Sequence, residues 1–511
     1  MCGIFGQISK KNISKKNIKK LSSHSQQRGK DSSGLIYFDK EKYNILRSEL
    51  KIKDLLAKAN YTNSSLLLGH SRLITNGLND NQPVIKGDIA VIHNGIIVNE
   101  NEAWSQLNCK KEKKIDSELI VAIANEHLEN NGLIEDIPKK ILSICKGVIA
   151  CVIIMPSHGK LMLFSNNGSL YSGEIDEDIY FSSENYPLDL IECKNIKQIK
   201  STATIIDINV SNFEVIYDQN SREQDLIPEF SFNKNKEKLL QYDQPELQRC
   251  SKCVLPETMP YIKFDNDGVC NYCISYKKRN NPKPKKELLK IIEPYRRNNQ
   301  IDCIVPFSGG RDSCFALHII VNELNMNPLT YTYDWGMVTD LGRRNISRMS
   351  ADLGVENIII AADISKKRDN IRKNLNAWLK HPHLGLMALL TAGDKHFFRH
   401  VETVKKQSGV NLNLWGVNPL EVTHFKTGFL GIRPDFEEEK VYSNGALKQL
   451  NYHSKRFKAM LGNLDYFNKS IWDTLSGEYY RSFTNKKDYY HIFDFIKWDE
   501  KLIESTLDKY D

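Results

Sequence analysis

No apolar run in these 511 residues is long enough to cross a bilayer. The longest, Gly147 to Met155, falls well short of the roughly 20 residues that a spanning helix needs. The start, Met1-Cys2-Gly3-Ile4-Phe5-Gly6, runs into a lysine-rich stretch without the apolar core of a secretory leader. These absences lead us to expect a soluble cytoplasmic protein with no membrane insertion. Acidic excess is lacking too: the net charge is +8, with Lys, Asn and Ile spread along the chain. The densest basic run, Lys277 to Arg297, lacks the interleaved aromatics that base stacking needs, so nucleic acid is not an expected partner. Cysteine is not scarce. Of eleven, four are clustered and one is second in the chain, and the rest read as buried or free thiols in a reducing compartment. Hydrophobic residues make up 41%, enough for ordinary cores, and the length implies two to four domains.

One stretch organises the second half. Ile301-Asp302-Cys303-Ile304-Val305-Pro306 is a short apolar run that reads as a buried parallel strand. It ends at Ser308-Gly309-Gly310-Arg311-Asp312-Ser313, and Cys314 to Ile320 then reads as a helix. Strand, glycine turn and helix together make a phosphate cradle, because the glycines let backbone approach an anion and free N–H groups point at it. Ser308 and Ser313 add hydroxyls, Arg311 adds charge, and Asp312 is a carboxylate suited to magnesium. The loop resembles the PP-loop of ATP pyrophosphatases, which split ATP between its α and β phosphates. It matches neither the Walker pattern nor the dinucleotide fingerprint.

At the other end, loss of the initiator methionine would leave Cys2 with a free α-amino group beside its thiol, a base next to a nucleophile. Four stretches support that reading. Gln27-Arg28-Gly29-Lys30-Asp31 is a tight polar turn, and Gly69-His70-Ser71-Arg72 offers a guanidinium fork for a carboxylate. Val91-Ile92-His93-Asn94-Gly95 is a strand ending in an amide side chain and a backbone N–H that can receive an oxyanion. Ile115-Asp116-Ser117-Glu118 is an acidic helix start that can accept an ammonium group. The region resembles a class II glutamine amidotransferase domain of the N-terminal nucleophile fold, as carried by asparagine synthetases and glucosamine-6-phosphate synthases. The resemblance implies Cys2 as nucleophile, Asn94 and Gly95 as oxyanion hole, Arg72 on the glutamine α-carboxylate and Asp116 on its α-amine. It also implies that the Arg28 loop closes near the cysteine. Phe181-Ser182-Ser183-Glu184 resembles a segment of asparagine synthetases.

From Asp218 to Gln248 the sequence is polar and aperiodic and reads as a linker. Cys250-Ser251-Lys252-Cys253 and Cys270-Asn271-Tyr272-Cys273 follow, two Cys-x-x-Cys knuckles at zinc-module spacing. Four thiolates leave no open position, so a structural zinc is expected. Beyond the loop, Pro328 to Asp334, Glu356 to Ala362 and Asn411 to Gly416 read as further strands between helical patterns, which implies a doubly wound parallel sheet. Ligands of such sheets sit past the carboxyl ends of the strands. Asp334, Asn418 and Lys426, the last in the polar stretch Glu421 to Phe429, are therefore candidates for the nucleotide, magnesium or acceptor site. Residues from 440 onward read as mainly helical, with Tyr479, Tyr480, Phe493, Phe495 and Trp498 as packing groups.

Taken in order, the cysteine quartet, Ser-Gly-Gly-Arg-Asp-Ser, Tyr333-Asp334-Trp335-Gly336 and His424-Phe425-Lys426-Thr427-Gly428-Phe429 resemble the N-acetyl sugar amidotransferases of bacterial surface-glycan biosynthesis. The resemblance implies that ATP and ammonia turn an acetamido group into an acetamidino group. Here the glutaminase is fused in front, asparagine synthetase-like in layout. The expected architecture is α/β multidomain. It comprises an N-terminal nucleophile αββα sandwich over 1–215, a linker over 216–247, a zinc-binding four-cysteine module over 248–300 and a PP-loop domain with helical tail over 301–511. Expected small-molecule partners are L-glutamine, ATP with Mg2+ and an N-acetylated sugar or sugar nucleotide. A homo-oligomer is compatible with the sequence. Amidation of a carboxylate, as in asparagine synthetases, and RNA modification by a zinc-containing PP-loop enzyme are the alternative chemistries.

Overall fold

The structure, a computed structural model, describes residues 2–77, 79–220, 246–276, 281–421, 425–436, 446–484 and 486–510. Its N-terminal part is built from two facing sheets. The first has eight strands, with Gly3–Ile8 near its centre between Asp178–Ser182 and Leu66–Arg72. The second has five, with Ile89–Ile97 and Gly147–Met155 paired antiparallel at its heart. Ile4, Ile36, Leu68 and Phe181 of the first sheet meet Ile92, Val152, Ile154 and Leu163 of the second in one dry layer. The outer face of the first sheet buries Phe5, Leu35 and Leu67 against Ile18 and Leu21 of the helix Lys15–Ser25. The outer face of the second buries Val91, Ile149 and Ile153 against the helices Ser117–Glu129 and Ile137–Ile144. The layers are thus helix, sheet, sheet, helix, the arrangement that the resemblance implied. All nine residues of Gly147–Met155 are buried, because its two faces belong to two different cores. Cutting one such side chain back, as in Ile154→Ala, is expected to cost about 2–5 kcal/mol.

The C-terminal sheet is wholly parallel, in the order Asn357–Ala361, Pro328–Asp334, Cys303–Pro306, Asn413–Trp415, Tyr489–His491. Four of its strands have the expected positions within a residue or two at each end. The fifth, Tyr489–His491, falls where the sequence reads as helical. Its three residues are too few to show a period of two, and only pairing with Asn413–Trp415 makes them a strand. The strand order reverses beside Cys303–Pro306, which puts the glycine loop at the switch point where such sheets receive ligands.

Two boundaries differ from the expected ones. The strand Phe213–Gln219 pairs in parallel with Tyr43–Ser48, so the first unit runs past 215. The helix Lys285–Ile292 sends Leu288 and Ile292 into the core around Phe315, so it packs with the C-terminal parallel-sheet unit rather than with the cysteines. Most of the expected linker, 221–245, lies outside the described residues. Among the described residues, no helix is long and apolar enough to cross a membrane.

Candidate active sites

Cys2 opens the central strand of the first sheet and is 5% exposed. Its thiol points to the Leu73 carbonyl at 3.8 Å. Burial raises the Cys2 pKa, and the positive charge of Arg72 is among the groups that pull it back. Asp116 also acts on the thiol electrostatically, so the structure brings Cys2, Arg72 and Asp116 near one another. Asn94 and Gly95 lie on the facing strand. The Asn94 side chain is fully buried, yet among the described residues neither its Oδ1 nor its Nδ2 has a hydrogen-bond partner. A buried primary amide without partners is rare in a settled core and leaves a donor and an acceptor available to a ligand. Gly95 cannot be anything larger, because a Cβ there would lie 1.8 Å from the Val148 carbonyl oxygen.

Asp116 precedes the helix Ser117–Glu129, and its Oδ2 accepts from the Ile97 N–H at 3.0 Å. Arg72 is 2% exposed, and its guanidinium donates to the carbonyls of Asn76, Gly77 and Asp80. It is therefore held by the turn after its own strand. His70 is fully buried, and burial with the nearby Arg72 charge pushes its pKa down to about 3, so it is a neutral wall of the site. Arg28 sits in a turn that closes near the cysteine, since the Asp31 N–H donates to Arg72 O at 3.0 Å and a Cβ on Gly29 would lie 2.3 Å from the N of Leu73, whose carbonyl meets the Cys2 thiol. Arg28 itself is buried between Glu184, at 2.9 Å, and the Asn357 carbonyl of the C-terminal sheet, at 3.1 Å.

The second site lies at the glycine loop. Gly309 has φ +72°, and a Cβ on it would sit 2.1 Å from the Gly342 carbonyl oxygen, so both backbone and space require glycine. Gly310 leads into the helix Arg311–His318. Ser308 Oγ lies 3.0 Å from Ser313 Oγ and accepts from the Gly310 N–H at 3.3 Å, while Ser313 Oγ donates to Gly310 O at 2.8 Å. Ser308, Gly309, Gly310 and Arg311 line a cleft of about 590 Å³ together with Thr339, Gly342, Asn345, Arg348 and Tyr510. Arg311 is turned toward the C-terminal helix Glu500–Leu507, 2.7 Å from Glu500 and 3.4 Å from Glu504. Asp312 accepts from the Trp498 indole N–H at 3.0 Å.

Of the three further candidates, Asp334 is buried and already paired. Its Oδ2 meets Arg343 at 2.8 Å and its Oδ1 takes the Gly336 N–H at 2.9 Å. Asn418 caps the turn after Asn413–Trp415 by accepting from the Leu420 N–H at 2.9 Å. Lys426 lies exposed on the short helix Phe425–Phe429, and residues 422–424 beside it lie outside the described residues. Sequence reasoning missed Arg343, Asn345 and the grip of Trp498 on Asp312. No local pattern marks them, since each acts on a residue brought near only by the fold.

The sulfurs of Cys250, Cys253, Cys270 and Cys273 all lie within 4.8 Å of one another. Cys250 and Cys273 are 3.9 Å apart, and Cys253 and Cys270 3.6 Å. A tetrahedron with metal–sulfur bonds of about 2.3 Å has edges of roughly 3.8 Å, so the quartet has the size that zinc requires. The N–H groups of Cys253 and Cys270 point at Cys250 Sγ, 3.5 and 3.2 Å away, as suits a thiolate. The module packs on the candidate acceptor segment: a Cβ on Gly428 would touch Pro260 at 2.7 Å, and Tyr272 stacks edge-on with Phe436.

Residues 70–189 match the family described as a glutamine amidotransferase domain. The chain is 33% identical over 183 residues to the glutamine–fructose-6-phosphate aminotransferase (isomerizing) of Wigglesworthia glossinidia brevipalpis, covering 33% of this chain and 29% of that one. It is 25% identical over 396 residues to the protein of the same name from Buchnera aphidicola subsp. Baizongia pistaciae, covering 73% of this chain and 56% of that one. The chain thus spans less than a third of the first relative's length and just over half of the second's. Among solved structures it is similar to the B. subtilis glutamine phosphoribosylpyrophosphate amidotransferase complexed with ADP and GMP. That match has 13% identity and a TM-score of 0.36, over 93% of this chain and 92% of that one. It is also similar to the NH3-dependent NAD synthetase of Campylobacter jejuni, at 14% identity and a TM-score of 0.20, over 39% of this chain and 96% of that one. The N-terminal half therefore contains a glutamine amidotransferase domain, set beside a parallel α/β unit with a glycine loop at its switch point.

Proposed function

We propose that this protein is a glutamine- and ATP-dependent amidotransferase that converts the acetamido group of an N-acetylated sugar into an acetamidino group. The observation that carries the reading is the pairing, in one chain, of a buried Cys2 set across from an orphaned Asn94 amide with a Ser-Gly-Gly loop that lines a large cleft. With the methionine removed, the Cys2 α-amine takes the thiol proton and the thiolate attacks the glutamine carboxamide carbon. Asn94 Nδ2 and the Gly95 N–H receive the developing oxyanion. Ammonia leaves, and water releases glutamate from the thioester. Arg72 and Asp116 are assigned to the two ends of glutamine. For Arg72 this requires that the substrate carboxylate replace some of the carbonyls of residues 76–80.

At the second site the Gly309 and Gly310 backbone and the Ser308 and Ser313 hydroxyls would hold the phosphates of ATP. The acetamido oxygen attacks the α-phosphorus, and pyrophosphate departs. Ammonia then adds to the activated carbon, and AMP leaves with the former amide oxygen. Activation is needed because an amide oxygen is a very poor leaving group. Magnesium brought with ATP would offset charge on pyrophosphate. Asp312 would be the carboxylate to hold it: its bond to Trp498 uses one oxygen only, whereas both oxygens of Asp334 are engaged. The cysteine quartet would hold a structural zinc that fixes the segment around Gly428. The sugar assignment rests on the resemblance carried by the quartet, the loop and the segment ending at Phe429.

The test is incubation of the full chain with glutamine, ATP, magnesium and a panel of N-acetylated sugar nucleotides, read by mass spectrometry. Formation of an amidine with AMP and pyrophosphate supports the reading. Turnover of carboxylate acceptors alone would favour an asparagine synthetase-like reaction. RNA binding that weakens steeply with salt would favour the RNA-modifying alternative.

A further inference from the structure

Ser347 belongs to the helix Asp340–Asp352 of the C-terminal unit, yet its hydroxyl sits inside the N-terminal sheet. Ile96 and Val148 face each other across the antiparallel strands Ile89–Ile97 and Gly147–Met155. The Val148 N–H donates to Ser347 Oγ at 2.8 Å, and Ser347 Oγ donates to the Ile96 carbonyl at 2.7 Å. A hydroxyl from the other unit thus links the two strands one residue past Gly95. The surroundings leave no slack. A Cβ on Gly95 would lie 1.8 Å from Val148 O, and one on Gly147 2.3 Å from Ile96 O. Arg344, on the same helix, adds a hydrogen bond to the Val98 carbonyl at 3.1 Å.

The same helix also grips the glycine loop. Asn345 Nδ2 donates to Gly309 O at 3.0 Å, and Gly309 is packed against Gly342 O and Ile346 Cγ1. The Gly310 N–H is given to Ser308 Oγ, 3.3 Å away. A phosphate that claims this N–H must turn the Ser308 hydroxyl aside and resettle the loop. Gly309 has no room to absorb that change without moving Gly342 and Ile346, and a rigid helix passes the motion to Ser347.

The geometry points to Ser347 as a positioning residue through which nucleotide at the glycine loop sets the oxyanion geometry at Asn94 and Gly95. The inference rests on the reading of these two sites given above. Ser347 itself touches neither glutamine nor ATP. Its role is to make hydrolysis of glutamine answer to the occupancy of the second site, which limits release of ammonia when no acceptor is being activated.

The experiment uses the full chain and two probes. One is glutamate release from glutamine with and without Mg-ATP. The other is alkylation of Cys2 by 6-diazo-5-oxo-L-norleucine under the same conditions. Wild type should change rate by roughly fivefold or more on adding Mg-ATP, the low end of ordinary coupling between sites. Ser347→Ala should bring that ratio close to one, and Ser347→Thr, which keeps the hydroxyl, should restore it. Hydrogen exchange of residues 147–155 in wild type should also change with Mg-ATP, a readout that does not depend on any variant folding. A Ser347→Ala protein that responds to ATP like wild type overturns the proposal, as does unchanged exchange at 147–155. A wild type that hydrolyses glutamine at the same rate with and without ATP also overturns it while leaving the glutaminase reading intact. No glutamate release under any condition would instead overturn that reading.

Discussion

Arg28 donates to the carbonyl oxygen of Asn357 at 3.1 Å, across 329 positions of sequence. Its other terminal nitrogen is 2.9 Å from Glu184, which also meets His24 at 2.9 Å. Burial alone would raise the Glu184 pKa, but His24 and Arg28 hold it down to about 2. The turn around Arg28 follows the end of the strand Asn357–Ala361. Gln27 O accepts from the Ala361 N–H at 2.9 Å, and Lys30 Nζ reaches Ala361 O at 3.1 Å. The loop that closes near the cysteine is therefore also a strut between the two units. Ser183 carries the same strut to the strand Gly3–Ile8 that follows Cys2, since its Oγ accepts from the Ile4 N–H at 2.9 Å.

Beside this strut, Glu356 gives the chain a pH dependence. Burial pushes its pKa up to about 8, and its partner is the Tyr171 hydroxyl. A carboxyl with a raised folded pKa supports the fold fully below its unfolded pKa, near 4.3, and loses that support as pH rises through the folded value. Stability should therefore fall between about pH 5 and 8, by at most about 1.4 kcal/mol per pH unit from this group. Glu356→Gln keeps an acceptor for Tyr171 and should flatten that slope. Denaturant titrations at pH 5, 6.5 and 8 check this, and a slope unchanged in the variant would refute the assignment.

Cys2→Ala should abolish glutamine-dependent product formation while sparing synthesis with an added ammonium salt. The reason is spatial. Cys2 lies in the first sheet, and the residues lining the second cleft all come from beyond position 307. Side-by-side assays with the two nitrogen sources decide it, and equal loss with both would contradict the division of labour.

Much of this was legible in sequence, because the decisive signals were local. Ser308 to Ser313 is a contiguous loop whose glycines report its backbone. The cysteine knuckles report their own spacing. The strands at Gly147–Met155 and Pro328–Asp334 carry unbroken apolar or β-branched runs. What escaped depends on distant pairing. Tyr489–His491 is a strand only because Asn413–Trp415 lies beside it. Trp498 looked like a packing group, and it does stack over the Arg311 guanidinium, yet it also holds Asp312. Asp334 read as a candidate for the nucleotide or its magnesium, and Arg343 nine residues later pairs with it. A carboxylate at a strand end reads the same whether its partner is a metal or an arginine supplied by the next helix.

Asp312→Ala should abolish cleavage of ATP to AMP and pyrophosphate and leave at least part of the glutamine hydrolysis. Asp312 sits in the first turn of the helix that follows the loop, tied to Trp498. Pyrophosphate release and glutamate release measured on one sample separate the two activities. ADP and phosphate as wild-type products would rule out the proposed cleavage site on ATP.

One zinc per chain is expected at Cys250, Cys253, Cys270 and Cys273. Its removal should loosen the segment around Gly428 first, because Pro260 and Tyr272 of the module pack there. Metal binding of this kind is coupled to folding, so a chelator should lower the melting temperature of the C-terminal unit more than that of the glutaminase unit. Elemental analysis of freshly purified protein checks occupancy. Disulfides in place of zinc would exclude the site.

The chemistry at the acceptor can be followed by one oxygen atom. Adenylation places the acetamido oxygen between the acceptor carbon and phosphorus. Attack by ammonia on that carbon then breaks the carbon–oxygen bond, so the oxygen departs on AMP. A sugar carrying heavy oxygen in its acetamido carbonyl should therefore give labelled AMP. The sugar should lose the mass difference between O and NH and gain a base that stays cationic at neutral pH. A carboxylate acceptor would pass one of its oxygens to AMP in the same way but would yield a neutral amide, and sulfur transfer to RNA would leave the sugar untouched. Mass spectra of both products from one incubation separate these cases. Unlabelled AMP from labelled sugar, or turnover of carboxylate acceptors alone, would exclude amidine formation even with both the Cys2 site and the glycine loop active.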